Sequence, residues 1–186
     1  VLLPMGRVLE KLAMRTIPDS PEPEQTALLD ARLLATPAVA VQRAREITCR
    51  MAEDARTCFT MAVGLTHDFN EQKLEELREK EDVTDKYEDA LGSYLVKLSA
   101  ENLAVEDNRR LNTLLYTIGD FERIADHAVA IGVAGQEIKE KPVNFSSQAK
   151  EELAVLERAV GDVLERTVSA FVDVDLEKAA KTESVE

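Results

Sequence analysis

Residues 36–70, TPAVAVQRAREITCRMAEDARTCFTMAVGLTHDFN, decide the fold. Thr36-Pro37 is a helix start, with threonine at the N-cap and proline at the first helical position. From there Val41, Ala44, Ile47, Met51, Ala55, Cys58, Ala62, Leu65 and Phe69 recur at spacings of three and four. That is the period of a long helix with one buried face. Asn70 closes this helix and caps the next.

Outward from this stretch the same period returns. A second helix over about 71–99 carries Leu74, Leu77, Leu91, Leu95 and Leu98, with acidic middle turns. A third over about 104–135 carries Leu111, Leu114, Leu115, Ile118, Phe121, Ala125 and Val129, and the spacing predicts its end near Gly132 and Gly135. Long helices with short joins pack as antiparallel neighbours. Lys141-Pro142 then breaks the chain, and Ser146 or Ser147 caps a fourth helix with Leu153, Leu156, Val160, Val163, Leu164, Val168 and Phe171. After Asp173 and Asp175 a fifth helix is expected to start, in phase with the second when Glu186 is laid over Glu81.

The expected fold is therefore all-α: an antiparallel, spectrin-like three-helix bundle over 27–140, followed by part of a second repeat over 141–186. Residues 1–26 read as a peripheral tail, because three prolines between Pro18 and Pro23 exclude regular structure there. The opening Val1-Leu2-Leu3-Pro4-Met5 is too short to span a bilayer. On pattern alone it reads as a short surface helix or the end of a membrane helix.

Composition supports this reading and narrows the function. The chain has 186 residues, 45% hydrophobic and 32% charged, with 7 Gly, 4% aromatics and no Trp, the balance of a folded helical domain. A net charge of −13 disfavours nucleic acid and anionic lipid, whose phosphates need clustered Lys and Arg. Cys49 and Cys58 lie nine residues apart, on roughly opposite sides of one helix, so they read as free thiols in a reducing compartment. No nucleophile triad, phosphate loop, CxxC or HExxH occurs, and no enzyme is expected.

The acids of the second helix carry the chemistry. At about 100° per residue, with Leu77 and Leu95 at the centre of the apolar stripe, Glu88 falls at about 20°, Glu81 at about 40° and Asp85 at about 80°. Asp82 and Asp89 point outward. On the third helix, measured from Ile118, Glu122 falls at about 40° and Asp126 at about 80°. Both helices thus carry a Glu-x-x-x-Asp pair at the same phase, one carboxylate a turn above the other. Like charges brought together at a half-buried seam need protons or a cation, and carboxylate oxygens suit hard or borderline divalent ions such as Mg, Ca, Fe and Zn. The other open reading is a water-filled groove, with the acids solvated or paired to Arg123, Lys86 or Arg78. Glu88 and His127 are additional candidate ligands. Ferritin-like di-iron chemistry is excluded, since Ile124 and Gly64 stand three residues before His127 and His67.

Glu81-Asp82-Val83-Thr84-Asp85-Lys86-Tyr87-Glu88, Tyr94-Leu95-Val96-Lys97-Leu98-Ser99 and Thr117-Ile118-Gly119-Asp120-Phe121-Glu122-Arg123-Ile124-Ala125-Asp126-His127-Ala128 resemble the PhoU family. The likeness spans about residues 27–172, and within the family it is greatest to the PhoU-like C-terminal domain of bacterial sodium/phosphate cotransporter proteins. The resemblance implies two three-helix repeats with E(D)xxxD motifs that bind multinuclear iron or zinc clusters, here at Glu81, Asp85, Glu122 and Asp126. It implies a regulatory, non-catalytic role in phosphate transport, as a cytoplasmic domain of an inner-membrane protein whose first partner is the transporter membrane domain of the same chain. Residues 1–26 then look like the stretch leaving the last membrane segment. The alternative it implies is a free-standing adaptor that docks on a sensor kinase or a transporter ATPase, and the unpaired fourth helix leaves an apolar face to be covered by a partner copy, as a homodimer, or by the missing chain. The second repeat stops before its own third helix, so a complete two-cluster protein cannot be assembled from these residues.

Overall fold

The computed structural model describes residues 29–141 and 144–173; the expected N-terminal tail, the Pro142 break and the expected fifth helix lie outside the described residues. A 3-10 turn, Ala31–Ala35, is capped by the Asp30 carboxylate. Four helices follow: α1 Pro37–His67, α2 Glu71–Ser99, α3 Val105–Glu140 and α4 Ser147–Asp173. No strand occurs among the described residues. None of the helices is long and apolar enough to cross a membrane.

The local signals act where the sequence puts them. Pro37 opens α1 behind Thr36. The Asn70 side chain accepts the Lys73 amide at 3.0 Å, satisfying one of the orphan N–H groups at the start of α2. Ser146 does the same for Ala149 at 3.1 Å in front of α4.

One boundary differs from the expectation. α3 runs through Gly132 and Gly135 to Glu140 rather than stopping at them. The two glycines make room instead of ending the helix. A Cβ at Gly135 would lie 2.6 Å from the carbonyl oxygen of Leu65, and one at Gly132 would lie 2.9 Å from the Leu77 side chain. They let the end of α3 press against the end of α1, a packing role for glycine rather than a breaking one.

α1, α2 and α3 form an antiparallel bundle in which each helix packs on the other two; α4 lies against α1. The core falls into two apolar clusters. One holds Met51, Ala55, Tyr87, Leu91, Leu95, Ile118 and Phe121, and the other Cys58, Leu65, Leu74, Leu77, Ala125 and Ala128. They part between Leu77 and Tyr87 on α2 and between Phe121 and Ala125 on α3. The acids singled out by the sequence stand at this division.

Candidate metal centre

Two contacts fix the register of α2 against α3. Gly132 sits against Leu77, and Gly92 lies opposite Ile118, where a Cβ would be 3.8 Å from the Ile118 Cδ1. The antiparallel pairing therefore sets the turns bearing Glu81, Asp85 and Glu88 level with the turns around Glu122 and Asp126. Sequence spacing supplied the face, and register lays the two acidic stretches alongside each other.

Glu81, Glu88 and Glu122 are half-buried, while Asp85, Asp126 and His127 are exposed. Asp82 and Asp89 face solvent, as their phase requires. Burial, reinforced by Asp85, Asp126, Asp82 and Glu122, pushes the Glu81 carboxyl above its usual range. Burial also raises Glu88, with Asp89, Glu122 and Asp85 adding to it. Carboxylates from both helices thus act on one another across the seam.

Two of the three cations that could have neutralised them are engaged elsewhere. Lys86 pairs with the outward Asp82 at 2.7 Å, and Arg78 reaches Glu75 at 3.5 Å. Arg123 is exposed. Among the described residues, Glu81, Asp85, Glu88, Glu122 and Asp126 make neither an ion pair nor a side-chain hydrogen bond.

The donor set would offer a cation oxygen ligands only, negative in sum. As placed, no three His, Cys, Asp or Glu side chains among the described residues gather closely enough to hold one ion. The half-buried Glu81 and Glu122 would form the floor of such a site, and Asp85 and Asp126 its solvent-facing rim. Cys58 is no competitor, since burial pushes its thiol up to about 11.

Two features escaped sequence reasoning. The hydroxyls of Tyr87 and Tyr94 are buried without a hydrogen-bond partner among the described residues, one turn and three turns along α2 from Thr84. At the far side of α1, Glu157 of α4 accepts from Thr66 Oγ1 at 3.2 Å and lies 2.8 Å from His67 Nε2. These residues are some ninety positions apart in sequence, and no local pattern announces the contact.

Nothing among the curated proteins and nothing among the solved structures matches this chain. The segment from Thr48 in α1 through Val133 in α3, which contains both acidic pairs and the three helices that bring them together, matches the family model of the PhoU domain over residues 48–133.

Proposed function

We propose that this chain is a regulatory module of phosphate transport, the cytosolic PhoU-like domain of a sodium-dependent phosphate transporter, and that it holds iron, zinc or another divalent ion rather than catalysing a reaction. The observation that carries this reading is the pair of acidic motifs, Glu81 with Asp85 and Glu122 with Asp126, set level on adjacent helices inside the PhoU-matched segment with no cation of the protein against them. A half-buried group of like charges left uncompensated by Lys or Arg is a site whose neutralising charge comes from outside. Metal content of the purified native protein, compared with Glu122→Ala/Asp126→Ala, tests it. Bound iron or zinc in the first and none in the second supports the assignment, and equal metal in both sinks it.

The second reading, an adaptor that regulates phosphate uptake through contacts with a sensor kinase or a transporter ATPase, draws on a different observation. α4 exposes Leu156 and Val160 on a face that α1 leaves open. Under that reading the acidic pairs are dispensable, and the double variant keeps its regulatory effect on phosphate uptake.

A further inference from the structure

The two unpartnered tyrosine hydroxyls lie under different parts of the chain. Tyr87 faces α1, where Asp54 and Arg50 are the charged groups that act on it. Tyr94, about two turns further along α2, is acted on instead by Asp30, ahead of α1. Asp30 caps the 3-10 turn Ala31–Ala35, and this strap packs on both α1 and α2.

Apolar contact alone fastens the strap. Leu29, Leu33 and Leu34 are half-buried against the core cluster that holds Tyr94, Leu95 and Leu98, whereas Ala31, Arg32 and Ala35 are exposed. The hydrogen bonds stay local: the Leu33 amide donates to the Asp30 carbonyl at 2.9 Å, the Thr36 amide to the Leu33 carbonyl at 2.8 Å, and Arg32 to the Asp30 carboxylate at 2.8 Å. Pro37 holds Thr36 outside the helical region, at φ −129° and ψ 77°, so strap and α1 are separate pieces joined at one residue. Lifting the strap about Thr36 therefore breaks no hydrogen bond to α2 or α3 among the described residues. It also returns the Tyr94 hydroxyl to water and relieves the cost of keeping that group dry and unpaired.

We propose that residues 29–36 are a releasable latch: they leave α1 and α2 as a unit while the three-helix bundle stays folded, and the unpaired Tyr94 hydroxyl beneath them keeps the closed state only marginally favoured. The latch joins residues 1–28 to the bundle, so a partner acting on those residues reaches α1 and α2 through its opening. The acids of the α2–α3 seam take no part in it.

Native-state amide exchange of the whole chain tests the latch. A five-residue 3-10 turn does not persist in water by itself, so the amides of Leu33 and Thr36 exchange at each opening. They are expected to exchange about a hundredfold or more faster than those of Leu91 and Leu95 in α2, yet slower than in an unstructured peptide. Tyr94→Phe removes the group that opening hydrates and slows latch exchange about tenfold. Tyr87→Phe deletes an equally buried hydroxyl beside Arg50 and Asp54, about four turns along α1 from Thr36, and leaves latch exchange unchanged while slowing that of α2. Latch amides that exchange only in step with α2 overturn the proposal, and so do latch amides with no protection at all. A Tyr94→Phe variant whose latch opens as in wild type, or a Tyr87→Phe variant that slows the latch equally, overturns it too.

Discussion

Acids stand at two helix seams of this molecule, and the two seams treat them oppositely. Where α4 meets α1, the carboxylates have partners: Glu157 is held by Thr66 and His67, and Glu165 by Arg56, which also binds Glu53 at 2.5 Å. Where α2 meets α3, Glu81, Glu88 and Glu122 are half-buried among like charges, and the nearby Lys86 and Arg78 bind other acids. The first arrangement is how a protein uses a carboxylate to join two helices. The second leaves a charge for something else to balance. It is the lack of an ion pair at a seam where burial already raises Glu81 and Glu88, and not acidity itself, that separates this seam from the other.

The largest effect that could break this contrast is a metal ion. A divalent ion at about a hundred times its Kd stabilises the folded chain by about 2.7 kcal/mol. For a domain of this size that raises the midpoint of thermal unfolding by about 5–10 °C. Glu122→Ala/Asp126→Ala abolishes the increment, and Glu157→Ala/Glu165→Ala retains it. A shift of the same size in both double variants would show the ion binding without regard to the seam, and the contrast would fall.

Much of this was legible beforehand, for local reasons. Thr36-Pro37, Asn70 and Ser146 mark helix starts because capping depends on neighbours in sequence, and the structure uses Asn70 and Ser146 as caps. The phase of Glu81, Glu88 and Glu122 followed from helical geometry, and these three are half-buried as that phase demands. Gly132 and Gly135 misled for the same reason. Read locally, glycine ends a helix, but here it serves a close approach to Leu65 that is set by tertiary packing. The neutralised acids of the α1–α4 seam were invisible, since Glu157 finds Thr66 across ninety-one positions.

A smaller effect sharpens the contrast from the other side. Glu157→Ala removes the acceptor shared by Thr66 and His67 at a site where the carboxylate is 14% exposed. The expected cost is about 1–2 kcal/mol in chemical denaturation. Faster amide exchange in the N-terminal half of α4 than in α2 should accompany it, since that half lies over the end of α1. Glu122→Ala in metal-free protein is expected to cost nothing or to stabilise, because it relieves repulsion rather than breaking a bond. Equal losses in the two variants would erase the distinction between a joining carboxylate and an uncompensated one.

The smallest effect is the one that reads the charge directly. Burial and neighbouring acids raise the folded-state pKa of Glu81 from its ordinary 4.5, so the metal-free native chain holds this proton more tightly than the unfolded chain does. Native protein then binds more protons than unfolded protein between the ordinary and the raised value, and stability falls as pH rises through that window. Glu81→Gln removes the titration, so the metal-free variant is more stable than wild type at pH 7 and loses this advantage below about pH 4. A cation inverts the sign: it competes with protons for the same oxygens, so metal binding strengthens as pH rises through the same window. Midpoints of unfolding measured from pH 4 to 7 with and without metal separate the two cases. A Glu81→Gln variant no more stable than wild type at pH 7 in the absence of metal would mean that the α2–α3 acids are as well compensated as those against α1, and the difference between the seams would be one of appearance.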